Sequence, residues 1–230
     1  KNENGKVPIP NYYGDAPLSE ETKQVLRDIP IDETALLARL GVAKSESVGG
    51  NYYESISLPS LNINGLSAAS TTAVRTIIPA SATASIDIRT TKEAHSSRQV
   101  KLLKDYITAK GYHIVDELPS KETRLKHEKL ILIEVSPGTA ALQTSLDEPV
   151  GLWAQKALES VSDEKVVVIP MMGGTVPTAP LVNSIEKPVI LIPLVNADNN
   201  QHAPNENLRI GNFYSGTNAL YQLLTTPYAQ

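Results

Sequence analysis

The apolar stretch at 188–194 (PVILIPL) and the polar stretch at 195–213 (VNADNNQHAPNENLRIGNF) decide the fold predicted for this chain. An unbroken apolar run of this length predicts a buried strand. A helix-like apolar pattern begins at Phe213, so the polar stretch is expected to be a loop that leaves the carboxyl end of the strand. Ligands bind at such strand ends in open α/β sheets. The loop is therefore a candidate functional site.

Within this loop, Asp198, His202 and Glu206 recur at every fourth position. A helix would align these side chains on one face as metal ligands. However, Pro204 disfavours helical geometry at the residue before it, and the neighbouring asparagines favour turns. Imidazole is a common metal ligand, whereas many loop histidines are solvated or hydrogen-bonded to the backbone. Spacing alone leaves both interpretations of His202 open.

The composition is that of a globular chain. It has 230 residues, 41% of them hydrophobic, a formal net charge of -4 and no cysteine. This length suits one large domain or two small ones. Interspersed charges argue against nucleic acid and anionic membranes as partners, and no apolar segment approaches the roughly 20 residues that span a bilayer. The lack of cysteine excludes disulfides, thiol nucleophiles and cysteine-ligated zinc, but it does not fix the compartment. We expect a soluble protein of unknown compartment, with the cytoplasm slightly favoured over the periplasm or secretion.

The amino-terminal part of the chain predicts short helices before any strand. Residues 1–18 are rich in proline and glycine, which suits an extended arm. Ser19 and Asp32 can each cap a short helix, because small polar side chains satisfy free backbone N–H groups. These helices are expected to end at Arg27 and Gly41.

A β unit is expected next. Residues 60–66 (SLNINGL) predict a short strand, and residues 82–89 alternate between apolar and polar side chains. Alternation is typical of a strand with one buried and one solvated face. The next helix is expected to begin at Ser96, which forms a capping-box pattern with Gln99, and to end at Gly111. Short strands at 113–115 and 129–135 complete this part.

The carboxyl-terminal part predicts an α/β module. A helix capped by Asp147, with Pro149 in its first turn, is followed by apolar strands at 166–169 and 189–194. Apolar strands that alternate with amphipathic helices are typical of parallel strands covered on both faces. The last helix is expected to turn Phe213, Thr217, Leu220, Tyr221 and Leu224 inward.

A second motif, MMGGTVP at 171–177, follows the predicted strand at 166–169 and is expected to open a helix. Glycines allow the backbone to approach a ligand closely, and the free N–H groups at a helix start attract an anion. A Gly-Gly pair after a strand is also a common tight turn, and Pro180 weakens the case for a regular first helical turn. Both interpretations stay open.

These motifs resemble the aminoacylase and carnosinase-type zinc metallopeptidases, peptidase family M twenty. The segment 195–212 resembles the family's C-terminal signature, in which a strand ends in a polar loop with a histidine, then Asn-Glu, then a helix. The family's lid, or dimerisation, domain is similar to three pieces of this chain: SLNINGL, RTIIPASATASIDIRTT and the helix after them. The openings GKVPIPNYY and SEETKQVL resemble the carnosinase-like branch.

The resemblance implies an α/β fold in two parts. Residues 1–143 would form an incomplete ferredoxin-like α+β lid domain with a helical insertion at 19–41. Residues 144–230 would form the C-terminal β-α-β-α part of a mixed, mostly parallel catalytic sheet. The chain would correspond to the C-terminal half of a family member, form a homodimer through the lid, and need the missing N-terminal half of the same protein.

The resemblance also implies a metal site. His202 maps onto a histidine that ligates one of two zinc ions, whereas Asp198 and Glu206 map onto positions that are not ligands. In the family the two ions activate a bridging water and polarise the scissile carbonyl. The other ligands and a catalytic Glu-Glu pair precede the lid, and no counterpart of them is found in this chain. Glu20-Glu21 suits a helix start instead.

The resemblance assigns five residues to the substrate. Arg89 would reach the partner subunit's active site and hold the peptide substrate, with Thr76 beside it. Guanidinium suits a bidentate grip on a carboxylate, although composition alone favours a solvated arginine. Gly173, Gly174 and Thr175 would bind the carboxylate end of the substrate.

The implied function is that of part of a zinc-dependent metallopeptidase that hydrolyses dipeptides or C-terminal residues of short peptides. Because most ligands and the base are missing, this chain alone is expected to be inactive. The alternative is a non-catalytic dimerisation or binding module derived from such a peptidase.

Overall fold

The computed structural model of this chain describes residues 1–14, 18–174 and 178–228. The chain folds as two units. The first unit contains Lys1–Leu142 and Met171–Pro177, and the second contains Gln143–Pro170 and Thr178–Gln230. The division into a lid at 1–143 and a catalytic segment at 144–230 stays a prediction.

Helices and short strands alternate irregularly along the chain. The first unit contains α1 (Glu20–Asp28), α2 (Glu33–Leu40), α3 (Tyr52–Ile56), β1 (Ser60–Ser67), β2 (Thr83–Arg89), α4 (Ser96–Ala109), β3 (His113–Val115), α5 (Lys121–Lys126) and β4 (Leu130–Leu132). The second unit contains α6 (Pro149–Glu159), α7 (Ala179–Ile185) and α8 (Ile210–Thr225). The fold is therefore mixed α/β with small sheets, and α3 and α5 were not expected from the sequence.

The ends of α1 and α2 follow local sequence, as expected. The Ser19 hydroxyl accepts a hydrogen bond from the backbone N–H of Thr22, and the Asp32 carboxylate accepts one from Ala35. Gly41 ends α2 in the left-handed region, at φ 65°. Glycine reaches this region without a steric penalty, so the helix stops there.

Two small sheets lie in the described part of the first unit. Strands β1 and β2 pair antiparallel with Leu61 opposite Ile88, and the register shifts between Ile63 and Gly65. Strands β3 and β4 pair in parallel, with His113 opposite Leu130. Thus β4 covers only part of the strand expected at 129–135.

The expected burial pattern of β2 is wrong. Residues Thr83 to Ile86 are exposed on both faces, and Ile86 keeps 41% of its surface accessible. The apolar alternation would bury one face only if another layer packed on it. Within the described part of the first unit, the outer half of this two-stranded ribbon has no such cover.

The extended arm expected at 1–18 is instead part of the core of the first unit. Val7, Ile9 and Tyr12 are buried, and Tyr12 keeps only 1% of its surface accessible. They pack against partly buried side chains of β1 and α4: Leu61, Leu102, Leu103 and Tyr106. The Tyr12 hydroxyl donates to the carbonyl of Ser60 (3.1 Å). Burial of apolar area therefore outweighs the preference of the glycine- and proline-rich arm for an extended conformation.

The capping box expected at Ser96 is also wrong. Residue His95 occupies the N-cap position without a side-chain hydrogen bond to the helix. Gln99 is fully buried, and its Nε2 donates to the carbonyl of Tyr12 (3.1 Å). The glutamine thus joins α4 to the amino-terminal arm and is not available to cap its own helix. The helix does end as expected, with Gly111 at φ 86°.

The core of the second unit lies between α6 and α8. Ala154, Ala157 and Leu223 are buried there. Partly buried apolar residues surround them: Trp153, Leu158, Ile190 and Ile192. The start of α6 differs from the expected one, because Glu148 and not Asp147 occupies its N-cap.

The strands expected at 166–169 and 189–194 are not formed in the described residues, where neither segment belongs to a strand or a helix. A strand needs a neighbour that accepts and donates its backbone hydrogen bonds. Apolar sequence predicts the extended backbone but cannot supply that neighbour. The expected parallel catalytic sheet is therefore not observed among residues 1–14, 18–174 and 178–228.

The predicted inward face of α8 is wrong. Gly216 and Leu223 are buried, whereas Phe213, Tyr221 and Leu224 are exposed. A Cβ added at Gly216 would lie 3.2 Å from the Leu194 Cβ. This close approach of the two backbones needs glycine, so it fixes which side of the helix faces the unit. Among all described helices, none is long and apolar enough to cross a membrane.

Candidate functional site

The candidate site is the loop at 195–209, between the apolar segment 188–194 and α8. It is a loop and not a helix, as expected from Pro204. His202 is exposed and has a left-handed backbone with φ 63°. Asn200 (φ 59°) and Asn205 (φ 64°) share this conformation, which asparagine and histidine adopt more readily than most residues. These turns bring His202 to the solvent-exposed part of the loop.

The structure does not bring Asp198, His202 and Glu206 together as a metal site. The Asp198 carboxylate pairs with the guanidinium of Arg209 and accepts from Asn196 Nδ2 (2.9 Å). Glu206 is exposed. The four-residue spacing would align the three side chains only on a helix, and this loop is not helical.

Zinc needs more donors than this chain supplies in its described residues. Structural and catalytic zinc sites use three or four protein ligands. Within 1–14, 18–174 and 178–228, no group of three or more His, Cys, Asp or Glu side chains could hold a metal ion. These residues therefore do not fit a complete zinc site, and His202 would be a single ligand of it.

Arg89 is the last residue of β2 and lies opposite Ser60 on β1. Its Nε donates to the Asp87 carboxylate (2.7 Å), and its side chain remains 54% exposed. Residues two apart on a strand lie on the same face, which explains the pair. Thr76 lies in the exposed connection between β1 and β2. The guanidinium is accessible, and an exposed ion pair of this kind contributes only about 0–1 kcal/mol.

The Gly-Gly motif precedes a helix, as expected, but the two glycines are not part of its first turn. Helix α7 begins at Ala179, and Gly174 is separated from it by several residues. A Cβ added at Gly173 would lie 3.4 Å from the Ile56 Cβ, whereas Gly174 has open space. Thr175 lies outside the described residues. Gly173 thus lies in the first unit beside the end of α3, and the anion-binding role of the glycines stays a prediction.

Sequence reasoning missed Asn196. It keeps only 5% of its surface accessible, although nearly all of the loop after it is exposed. Its carboxamide bonds to Asp198, Asn207 and the backbone of Arg209. Its position could have indicated its role from the sequence, because it is the first polar residue after a long apolar run.

Comparison with known proteins gives a match to part of the first unit. Residues 18–115, which include α1 to α4 and β1 to β3, match the peptidase dimerisation domain of family M20. This region is similar to an M20 peptidase dimerisation domain. The resemblance drawn from the sequence is thereby confirmed.

M20 proteins are also similar to the rest of the chain. The Cys-Gly metallodipeptidase of Saccharomyces cerevisiae is 27% identical over 209 residues, which are 87% of this chain and 40% of that protein. An M20 family metallo-carboxypeptidase from Sulfolobus solfataricus has a TM-score of 0.74 and 24% identity, over 98% of this chain and 49% of that chain. Human carnosine dipeptidase 1 has a TM-score of 0.65 and 21% identity, over 96% of this chain and 45% of that chain.

These likenesses show a shared M20 fold. This chain spans less than half the length of each of these relatives.

Proposed function

We propose that this chain is the carboxyl-terminal half of a zinc-dependent M20 metallopeptidase that hydrolyses dipeptides or removes C-terminal residues from short peptides. The observation that carries the proposal is the 27% identity to a Cys-Gly metallodipeptidase over 87% of this chain. The match of 18–115 to the peptidase dimerisation domain supports it.

In this proposal His202 is one ligand of a two-zinc centre. Its exposure supports the role, because the imidazole is accessible to a metal whose other ligands come from elsewhere. The remaining ligands and the general base would belong to the amino-terminal half of the enzyme, since the described residues contain no group that could hold the metal. The chain alone is then inactive.

Substrate binding would involve Arg89 and Thr76, together with Gly173, Gly174 and Thr175. The Arg89 guanidinium can form two parallel hydrogen bonds to a substrate carboxylate. Its pairing with Asp87 opposes this only weakly, because both side chains are accessible to water. Gly174 has open space around its Cα, which would let a substrate carboxylate approach the backbone.

A homodimer through the first unit is part of the proposal. The ribbon of β1 and β2 and its connection expose many large apolar side chains: Ile63 (58%), Leu66 (77%), Val74 (82%), Ile77 (65%) and Ile78 (94%). Exposed apolar side chains clustered in one stretch of chain are typical of an interaction surface. Arg89 lies at the other end of the same ribbon.

The experiment that tests the proposal replaces His202 in the intact enzyme encoded by the gene. His202→Ala is expected to reduce bound zinc and to lower dipeptide hydrolysis at least about a hundredfold, since a metal ligand is lost. Gln201→Ala is the matched control, because it changes the neighbouring exposed side chain. Unchanged zinc content and unchanged hydrolysis in His202→Ala would contradict the proposal.

The second candidate function is a non-catalytic dimerisation or binding module. The finding that favours it is the lack of a metal-holding group among the described residues. Zinc stoichiometry after dialysis of the intact gene product discriminates between the two. A zinc-free protein that dimerises and hydrolyses no dipeptide would support the module, because an isolated imidazole does not hold zinc tightly.

A further inference from the structure

Asn196 connects the two ends of the loop that carries His202. Its Nδ2 donates to Asp198 Oδ1 (2.9 Å) and to Asn207 Oδ1 (3.1 Å), and its Oδ1 accepts from the backbone N–H of Arg209 (3.0 Å). Both donor hydrogens and the acceptor oxygen of this buried carboxamide are used. Buried polar groups that are fully satisfied make a segment rigid.

A second set of bonds tightens the loop around this carboxamide. The backbone N–H of Asn207 donates to the carbonyl of Asn199 (2.8 Å), and its Nδ2 donates to the carbonyl of Asn205 (3.0 Å). The Arg209 guanidinium pairs with Asp198. The loop is therefore closed at its base by bonds that all lie within one or two residues of Asn196 or Asn207.

His202 lies between these closing bonds in a conformation that it would not keep alone. It has φ 63°, and no helix or strand supports it. A residue other than glycine stays in the left-handed region only when the surrounding structure holds it there. The neighbouring bonds link Ala203 N–H to Asn200 O (3.0 Å) and Gln201 N–H to Asn199 Oδ1 (3.1 Å).

We propose that Asn196 is a positioning residue for His202: by closing the base of the loop, it fixes the backbone of His202 and directs the imidazole before any metal arrives. The inference rests on the proposed function, in which His202 ligates zinc. A ligand that is already fixed loses less conformational freedom when it binds. Residues that orient a metal ligand typically change metal affinity by about 10- to 100-fold.

The test measures the loop directly by NMR in this chain. In Asn196→Ala, amide hydrogen exchange at Asn207 and Arg209 is expected to accelerate at least about tenfold. The Cα chemical shift of His202 is expected to move from its left-handed value to a random-coil value, and its imidazole to become more mobile. Gln201→Ala is the control, because its backbone bond to Asn199 Oδ1 is kept, and it should change neither quantity.

If Asn196→Ala unfolds the second unit, substitutions of similar size at residues 196 and 198 test the hydrogen bonds of the Asn196 carboxamide instead. Asn196→Asp removes both donors and places a second carboxylate beside Asp198, so the loop should open. Adding Asp198→Asn returns a donor to the pair of residues 196 and 198 and should slow the exchange only in part, because the bond to Asn207 Oδ1 and the ion pair with Arg209 stay lost.

The inference is overturned by three results: wild-type exchange and His202 shift in Asn196→Ala, equal effects in Gln201→Ala, or wild-type exchange and His202 shift in Asn196→Asp. None of these readouts involves zinc. Failure here would therefore leave the proposed role of His202 standing. A rigid loop combined with unchanged zinc content in His202→Ala would reject only the proposed function.

Discussion

Tyr12 shows at the scale of one residue how tertiary contacts override composition. Burial in the core of the first unit raises the pKa of its phenol well above the ordinary 10.0. The neutral form is therefore favoured in the folded chain. In the unfolded chain the same phenol ionises at its ordinary pKa, so alkaline pH favours unfolding.

We predict that the first unit loses stability above pH 10 because of Tyr12. The folded pKa is the raised one, so the contribution is complete below pH 10 and is lost as the pH rises further. From pH 9 to pH 11 the loss from this group is about 1.4 kcal/mol. Urea unfolding at both pH values measures it. Tyr12→Phe should show a smaller loss across this range, and an equal loss in both proteins would contradict the prediction.

Arg89 is expected to matter for substrate and little for folding. In Arg89→Ala the unfolding free energy should change by less than about 1 kcal/mol, because an exposed pair with Asp87 contributes little. In the intact enzyme kcat/KM should fall at least about tenfold, since a charge-assisted hydrogen bond contributes about 1.5–3 kcal/mol. Arg124→Ala, on exposed α5, is the matched control. A wild-type kcat/KM in Arg89→Ala would exclude binding of the substrate carboxylate by Arg89.

At the scale of an element, two glycines of α8 differ in the space available for a side chain. Gly211 has open space where a Cβ would be, whereas at Gly216 that Cβ would lie 3.2 Å from the Leu194 Cβ. Alanine stabilises an open helical position by about 0.5–1 kcal/mol relative to glycine. At Gly216 the same gain is opposed by displacement of Leu194.

We predict that Gly211→Ala raises the unfolding free energy of the second unit and that Gly216→Ala does not. The difference between the two variants should be about 1 kcal/mol. Thermal unfolding followed by circular dichroism measures it. Equal stabilisation by both variants would show that the Leu194 side chain can move away from residue 216 at no cost. The close packing of Gly216 against Leu194 would then not determine which face of α8 is buried.

At the scale of the whole molecule, the ribbon of β1 and β2 is predicted to mediate self-association. Ile78→Lys should weaken the dimer at least about tenfold, because it places a charge where 94% of an isoleucine is exposed. Leu118→Lys is the control, since Leu118 is 84% exposed outside the ribbon, between β3 and α5. Sedimentation equilibrium measures the dissociation constant. A dimer unaffected by Ile78→Lys, or weakened equally by both, would place the interface elsewhere.

Sequence reasoning succeeded where the controlling contacts are local. Ser19, Asp32 and Gly41 determine their own helix ends through bonds to residues a few positions away, and all were predicted. Gln99 has the right spacing for a capping box, but a longer-range contact with Tyr12 takes its side chain. For the candidate site, the loop around His202 was predicted from its turn residues, whereas the bonds that close it were not.

The sequence alone determined the main helices, the pairable strands of the first unit and the resemblance to M20 peptidases, because period, caps and motifs depend on neighbouring residues. Only the tertiary structure decided that Tyr12 enters a core, which face of α8 packs, and that Asn196 closes the loop. Each of these depends on contacts between residues far apart in the chain or on the path of a turn, and hydrophobic pattern contains neither. The apolar run at 188–194 is the limiting case: it predicted an extended backbone, but a strand ladder also needs a partner strand.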